Sequence, residues 1–391
     1  MLASLPRALA LAPVILALLL AVACAPAAPA GPPAKPAAEA PKPAAAPEPA
    51  KPAAQPAKPA AEAPKPAAQP AKPAAQAPKP AAQVIELRAG ASNPKADVMS
   101  DAIDKFADLV NQKSKGEITV RVFYQSLGVE HQLAQAVMTG SVDFGQISNG
   151  NAARFTNAWL VYDLPFLFKS HEITLKSLEK PAGRKAIEGF EKDMGLKWLF
   201  PIAQGNRDIE TRSKPLKVPA DMRGLKIRVI SSPVDLSTFK AWGANPTPVD
   251  WGQTYAALQQ GVVEGVNVPI LILHGAKLYE VTKHVIRLDY QAVFGNFFMN
   301  AKKLQSLSPA HQKIILEAAQ EAGAWNLKDA LSRIDKAQQE LIQKYGLQVY
   351  TPTPAEYQQW ASIREKVWQE VGEQLKEKLD MNLAKQLYES Q

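Results

Sequence analysis

Few residues of this 391-residue chain have the types and spacing that catalysis requires. His171-Glu172 begins like a zinc-protease motif, but Leu175 stands where the second histidine ligand is needed. Ser148 follows Gly145 with one residue too many for the nucleophile elbow G-x-S-x-G. The sequence also contains neither a phosphate-binding P-loop nor a G-x-G-x-x-G fingerprint. These patterns predict that the chain is not an enzyme.

The candidate metal ligands are equally scattered. Five histidines show no metal-ligand spacing, and surface or core roles are favoured for each of them: His131, His171, His274, His284 and His311. The single cysteine, Cys24, excludes an internal disulfide framework and a cysteine-rich zinc site. We therefore expect no metal and no cofactor.

The elements that would position a binding site begin after residue 83. Before that point lie 20 of the 33 prolines and eight basic but only three acidic residues, so this part carries +5 of the net charge of +8. Residues 25–83 contain no aromatic or branched apolar side chain, and the segment 52–65 is repeated almost unchanged as 66–79. Such a chain cannot bury a core, so residues 24–83 are predicted to be a disordered Pro/Ala-rich tether, extended like polyproline II. Its lysines favour a solvated spacer, with affinity for anionic surfaces as the alternative.

The N-terminus has the features of an export signal. Arg7 precedes an apolar run of signal-peptide length, which is short for a membrane span. The sequence Leu20-Ala-Val-Ala-Cys24 resembles a bacterial lipobox, with Ala21 in place of the commoner leucine. We expect a lipoprotein signal peptide over 1–23 and lipidation of Cys24, with an ordinary cleaved signal or a remaining apolar helix as the alternatives. The protein would then be exported, and lipid-anchored to the outer face of the cytoplasmic membrane or in the periplasm.

The remaining 308 residues alternate between strand and helix patterns. Apolar residues that alternate with a period of two predict strands. Segments with helical periodicity lie between the first of these predicted strands, so we expect an α/β fold with largely parallel sheets. The predicted strands are 84–91, 118–124, 144–148, 198–203, 225–230 and 262–268. Ser308 is a predicted N-cap for a long helix over 309–344, and Thr353-Pro-Ala-Glu356 predicts the start of another, ending near Lys378. Charges of both signs are nearly balanced here, which argues against nucleic-acid binding.

Several stretches in consistent order resemble the solute-binding component of tripartite ATP-independent periplasmic (TRAP) transporters, the DctP family. The main ones are GEITVRVFYQSLG (116–128), LAQAVMTGSVDF (133–144) and DMRGLKIRV (221–229), with DLPFLF (163–168), WGANPTP (242–248), YAALQQG (255–261) and VEG (263–265) as further matches. The resemblance covers residues 84–391. It implies a two-lobed periplasmic-binding-protein-like fold with a hinge and a long helix spanning both lobes. Lobe I would comprise about 84–204 and 293–332, and lobe II about 205–292 and 333–391.

The resemblance also implies which residues bind the ligand. In this family an arginine of the R-G-x-K-x-R-V segment binds the ligand carboxylate, and the matching residue here is Arg228. A planar guanidinium suits that task, although a structural ion pair is the alternative. Arg207 matches a second ligand-contacting arginine of the sugar-acid branch, with a salt bridge near the hinge as the alternative.

Four further positions are expected to contact the ligand. Trp251 lies where the family often places an aromatic ring, although a core tryptophan is equally expected. Asn267 lies one place before the position that the sugar-acid branch uses, so the ligand class of that branch cannot be copied. Ser148 and Asn149 follow a strand that normally ends at the cleft.

The sequence thus predicts a solute-binding subunit of a TRAP transporter. It would capture a small organic acid by lobe closure and deliver it to the small and large integral membrane subunits for ion-coupled uptake. The alternative is a binding lipoprotein of an ABC-type transporter, which would share the anchor and the two lobes. An extracytoplasmic enzyme or a sensory domain fits less well, because neither catalytic groups nor a signalling segment are evident.

Overall fold

The computed structural model describes residues 84–391, so the expected signal peptide, Cys24 and the tether lie outside the described residues. The strands of the described part are β1 (Ile85–Ala91), β2 (Ile118–Tyr124), β3 (Phe144–Ser148), β4 (Leu196–Thr211), β5 (Lys226–Val229), β6 (Asn245–Pro248), β7 (Gly265–Val266), β8 (His284–Asn300) and β9 (Gln348–Tyr350). The helices are α1 (Val98–Lys113), α2 (Glu130–Met138), α3 (Asn149–Ala152), α4 (His171–Ser177), α5 (Pro181–Met194), α6 (Pro233–Ala241), α7 (Thr254–Gln259), α8 (Ile270–Gly275), α9 (Ala301–Ser306), α10 (Pro309–Gln343), α11 (Pro354–Ala361), α12 (Arg364–Gln374) and α13 (Met381–Glu389).

The strands form one connected sheet in the order β2-β1-β3-β8-β4-β7-β5-β6, with β9 paired to β8. The two long strands β4 and β8 run antiparallel along nearly their whole length. Strands β1–β3 lie at one end of this ribbon, and β5–β7 lie at the other. The fold is therefore a two-lobed α/β structure whose lobes are joined through β4 and β8.

The expectation of largely parallel sheets is only partly met. The pairs within each end, such as β1 with β2 and β5 with β6, are parallel as predicted. The joining pairs β3–β8, β4–β8 and β4–β7 are antiparallel. The sequence analysis predicted only 198–203 of β4 and none of β8. Both strands are buried along most of their length, so their sequences show no period-two alternation.

The pairing of β4 with β8 is interrupted at three places, one of them beside Gly205 and one beside Arg207. Gly205 has φ +107°, a conformation that side chains other than glycine rarely adopt. Irregularities of this kind bend a strand and turn the neighbouring side chains. The bend therefore comes at the point where the chain passes from one lobe to the other.

The long helix α10 begins at its predicted cap, where Ser308 Oγ accepts a hydrogen bond from His311 N. It packs against α1 and β4 and also against α8. Gly323 allows the close approach to β4, because a Cβ there would lie 2.9 Å from Phe200 Cβ. The helix thus spans elements of both lobes, as predicted.

The C-terminal helices differ from the prediction. The cap at Thr353 and Glu356 forms as predicted, but the helix breaks after Ala361, so α11 and α12 replace the single predicted helix. Helix α13 follows beyond the predicted end near Lys378. Helix α12 packs against α6, whereas α13 packs against α5 and the 3₁₀ helix Leu160–Asp163. Gln391 completes this contact through hydrogen bonds with Lys169 N and Leu167 O.

These contacts attach the last helix to segments that the sequence analysis assigned to lobe I. The division that places 333–391 in lobe II stays a prediction; in the structure α12 packs against α6 and α13 packs against α5. The apolar face of α13, formed by Leu383, Ala384 and Leu387, is buried in this contact. Burial of that apolar face is the physical reason why α13 packs against α5 and the 3₁₀ helix.

Candidate functional site

The first residue of the candidate site is Arg228, a buried arginine on β5. Its side chain is 3% exposed, and Nε donates a hydrogen bond of 3.0 Å to Val249 O. The guanidinium carbon lies 5.6 Å from the ring centroid of Trp251. Its two terminal nitrogens donate to no residue of 84–391. A guanidinium with two free terminal nitrogens has the geometry that can bind a carboxylate through two parallel hydrogen bonds.

Arg207, on β4, provides a second guanidinium. Its Nη1 donates a hydrogen bond of 2.6 Å to Asn267 O, and its Nε is buried without a partner in the described chain. The ion pairs formed by residues 84–391 include neither Arg207 nor Arg228. Burial, together with the nearby charge of Arg207, lowers the pKa of Arg228 to about 10. Arg228 is still protonated at neutral pH, and among the described residues no carboxylate lies within ion-pair distance of either guanidinium.

The opposite wall of the site is built on α2 and β3. Glu130 opens α2, and its Oε2 accepts hydrogen bonds from Ser148 N at 3.0 Å, Ser148 Oγ at 2.7 Å and Asn151 Nδ2 at 2.8 Å. These donors hold the carboxylate at the end of β3. The sequence analysis missed Glu130, because a helix prediction does not show which side of the first turn faces a cleft.

Two adjoining cavities lie between these walls. The larger has a volume of about 360 Å³ and the smaller about 60 Å³. Both are lined by Glu130, Asn151, Arg228, Ile230 and Trp251. The smaller one also reaches Ser148, Arg207 and Gln204, whose buried Nε2 has no partner in residues 84–391. The arrangement provides charged and polar donors for a small anion, with apolar surface around them.

Comparison with known proteins identifies the family. A model of the family described as bacterial extracellular solute-binding protein, family 7 (DctP), matches residues 89–375. This chain belongs to the DctP family. It is 31% identical over 257 residues to the 2,3-diketo-L-gulonate-binding periplasmic protein YiaO of Escherichia coli, covering 64% of this chain and 76% of the relative.

Further relatives agree with this identification. The C4-dicarboxylate-binding protein DctB of Bacillus subtilis is 29% identical over 276 residues, covering 69% of this chain and 77% of the relative. A TRAP periplasmic solute-binding protein from Shewanella oneidensis, solved with bound succinate, matches the fold with a TM-score of 0.73 at 25% identity. That match covers 78% of this chain and 98% of the other. The chain is therefore a solute-binding protein of the TRAP type, as the sequence predicted.

Within this DctP-family fold, four of the six predicted ligand-binding residues line the cavities: Arg228, Arg207, Trp251 and Ser148. Asn267 does not line either cavity. Its side chain is fully buried and donates to Asp235 Oδ2 at 3.2 Å and to the Tyr290 hydroxyl at 2.8 Å. Its main-chain oxygen instead holds Arg207. The geometry makes Asn267 a positioning residue, and Val268 is the neighbour that reaches the cavity.

Asn149 is likewise turned away from the cavities. Its Nδ2 donates to Asp163 Oδ1 at 2.7 Å and to Ala292 O at 3.3 Å, and its Oδ1 accepts from Phe294 N at 3.1 Å. With these partners the amide has a structural role between β3 and β8. The expectation that it contacts the ligand does not fit this geometry.

Buried acids lie behind the arginines of this DctP-family site. Asp163 accepts hydrogen bonds from Asn149 and, at 3.2 Å, from Ser232 Oγ at the start of α6. Burial, with repulsion from Asp235, raises the pKa of Asp163 to about 7. Burial also raises the pKa of Glu210 well above its usual value. These carboxyl groups therefore offset the charge of Arg207 less than their number suggests.

Other features of the described chain do not indicate a second chemistry. His171, of the incomplete zinc motif, is buried and accepts a hydrogen bond from Gly205 N at 3.3 Å. Within residues 84–391, no cluster of three His, Cys, Asp or Glu side chains could hold a metal ion. Among the helices described for those residues, none is long and apolar enough to cross a membrane.

Proposed function

We propose that this protein captures a small organic acid between its two lobes and delivers it to the membrane subunits of a TRAP transporter. The observation that carries the proposal is the fork of Arg228, which is buried, charged and unpaired among the described residues. A carboxylate would supply the missing partner in two charge-assisted hydrogen bonds. The names of YiaO and DctB, together with the succinate-bound Shewanella protein, associate this type of site with carboxylates.

The mechanism would be closure of the lobes around the acid. Arg228 and Trp251 lie on the β5–β7 side of the cleft, and Glu130 and Ser148 lie on the β1–β3 side. Arg207 lies on the joining strand β4 between them. A ligand that contacts both walls stabilises the closed state over the open one, and closure excludes water from the carboxylate. In this role the residues bind and release the acid without reacting with it.

Lipidation of Cys24 and tethering by residues 24–83 complete the proposal. The apolar run, the single cysteine and the proline-rich composition support an exported protein held at the membrane surface by a flexible leash. The acid would then be released close to the transporter, at high local concentration. The small and large integral membrane subunits would carry it across in an ion-coupled step, whereas an ABC-type permease is not favoured by the family match.

A panel of organic acids tests the proposal. Thermal unfolding of the soluble protein, residues 84–391, is measured with each acid, and the affinity of the most stabilising one is measured by calorimetry. Arg228→Ala is expected to weaken that affinity by more than about tenfold, because the carboxylate would lose its paired donors in the closed cleft.

Arg223→Ala is the matched control. Arg223 is exposed and lies five residues before Arg228, so its removal is expected to leave the affinity unchanged. If no acid raises the unfolding temperature, or if Arg228→Ala binds as tightly as the control, the proposal fails.

A further inference from the structure

We propose that Arg154 is a positioning residue whose ion pair with Asp250 holds the two walls of the cleft together around a bound acid. This inference rests on the proposed function, and it concerns how long an acid stays bound rather than which acid is bound. The juxtaposition behind it is an ion pair that reaches from the chain after β3 to the chain after β6. We call it the cross-cleft pair.

The two partners of the cross-cleft pair lie on opposite walls of the larger cavity. Arg154 follows α3 on the β1–β3 side, and Asp250 follows β6 on the β5–β7 side. Arg154 Nη2 lies 3.6 Å from Asp250 Oδ1, and the two side chains are 39% and 57% exposed. Opening of the cleft separates the two walls, so the pair forms only when they are close to each other.

Asp250 lies in the middle of a segment that surrounds Arg228. On one side of Asp250, Val249 O accepts the hydrogen bond from Arg228 Nε. On the other side, the ring centroid of Trp251 lies 5.6 Å from the guanidinium carbon. Thr254 Oγ1 donates a hydrogen bond of 3.3 Å to Asp250 O. The main chain of Asp250 is therefore held on the wall that carries Arg228, and its side chain reaches toward the opposite wall.

The cross-cleft pair has no competitor within the described chain. The ion pairs formed by residues 84–391 include Arg154 and Asp250 only with each other. Burial lowers the pKa of Arg228, and the negative charge of Asp250 is one of those that oppose this lowering. Removal of Asp250 therefore also changes the surroundings of Arg228. Arg154 is the partner whose removal breaks the pair and leaves that segment intact.

The expected effect is modest, because both partners are partly exposed. An ion pair of this exposure changes an equilibrium about two- to fivefold at most ionic strengths below that of seawater, and less at high salt. The pair forms after the acid has entered, so its loss should mainly affect release. Arg154→Ala is expected to speed dissociation of the acid about two- to fivefold.

Stopped-flow fluorescence measures the dissociation rate at low ionic strength. The probe is the acid that binds most tightly in a panel that includes succinate, D-galacturonate and pantoate. The variants are Arg154→Ala, Asp250→Ala and the double variant. If the two side chains act through each other, the double variant should release the acid no faster than Asp250→Ala alone. High salt should bring the rates of the wild type and Arg154→Ala closer together.

Lys185→Ala is the matched control. It breaks another exposed ion pair, in which Lys185 Nζ lies 3.2 Å from Asp380 Oδ2 and joins α5 to the N-cap of α13. Neither residue lines the two cavities of the site. Lys185→Ala is therefore expected to release the acid at the wild-type rate. Thermal unfolding without acid shows that each variant is folded.

The outcomes separate this inference from the proposed function. A wild-type dissociation rate in Arg154→Ala overturns the inference. So does an effect of Arg154→Ala that is equally large in the presence and absence of the Asp250 carboxylate, because Arg154 would then act on the acid itself. In both cases the proposed function survives as long as binding depends on Arg228. If no acid of the panel binds, the proposed function fails and the inference fails with it.

Discussion

Replacing Arg228 by lysine separates the charge of this residue from the geometry of its fork. Lysine keeps the positive charge at a site that is 3% exposed, but it offers a single ammonium in place of two parallel N–H donors. It also loses the Nε bond to Val249 O, which is a contact within the protein and not with the ligand. That second loss lowers stability rather than affinity, because the bond is absent from both states of the variant.

The expected loss of affinity follows from the number of donors. A hydrogen bond to a charged group contributes about 1.5–3 kcal/mol. Arg228→Lys removes one such bond to the carboxylate and is expected to weaken binding about 10- to 150-fold. Arg228→Ala removes both bonds, a loss of about 3–6 kcal/mol by the same reasoning, or roughly 10²- to 10⁴-fold. The lysine variant should therefore lie clearly between alanine and the wild type.

Calorimetry with the tightest-binding acid measures the three affinities, and thermal unfolding without ligand measures the stabilities. Arg223→Lys, an exposed neighbour, controls for the substitution itself. Wild-type affinity in Arg228→Lys would refute the two-bond geometry, because a point charge would then be sufficient. Equal affinities of the lysine and alanine variants would refute the contribution of charge, provided that both variants are folded.

Three further predictions concern the surroundings of the site. Asn267→Ala should lower the free energy of unfolding by about 1–3 kcal/mol, because its side-chain amide donates hydrogen bonds to Asp235 and Tyr290. It should weaken ligand binding less than Arg207→Ala does, because only the main-chain oxygen of Asn267 holds Arg207. Denaturant unfolding and calorimetry measure the two effects, and a larger loss of affinity than in Arg207→Ala would contradict the prediction. The pKa of Asp163 is raised to about 7 in the folded protein, against about 3.8 in the unfolded chain, so its contribution to stability is present below pH 4 and lost as the pH rises to about 7. The unfolding temperature should therefore fall less steeply between pH 5 and pH 8 in Asp163→Asn than in the wild type. Parallel profiles would show that Asp163 is ionised over the whole range. Deletion of residues 25–83 should leave affinity in solution unchanged while impairing uptake by cells, as measured with labelled acid, and lost binding would show that the segment is more than a tether.

The sequence predicted the elements of local origin well. The strands at β1, β2 and β3 and the caps at Ser308 and Thr353 depend on neighbouring residues, and each lies where its pattern indicated. Strand β8 was missed, because its pairing with β4 and its burial on both faces depend on residues far away in the chain. The return of α13 to α5 is a similar long-range effect.

The same distinction applies to the site. Arg228 and Arg207 could be predicted because each lies in a sequence motif that matches a known position in the fold of the family. Asn149 and Asn267 lie in the expected segments, but their side chains point toward buried partners on other elements. Glu130 faces the cleft because Ser148 and Asn151, on later elements, hold it there. Side-chain direction at a loop or helix start is decided by such partners, which a local pattern does not contain.

The irregular pairing of β4 next to Gly205 and Arg207 has a consequence for how affinity should be interpreted. Arg207 lies on the strand with the irregular pairing, so a ligand that contacts both arginines would contact the joining strand β4 and strand β5 together. If closure of the lobes bends β4, ligand binding and bending are coupled. The measured dissociation constant then includes the free energy that is needed to reach the closed, bent state. Substitutions along β4 that never touch the acid should therefore shift the apparent affinity for every ligand by a common factor, leaving the ranking of ligands intact.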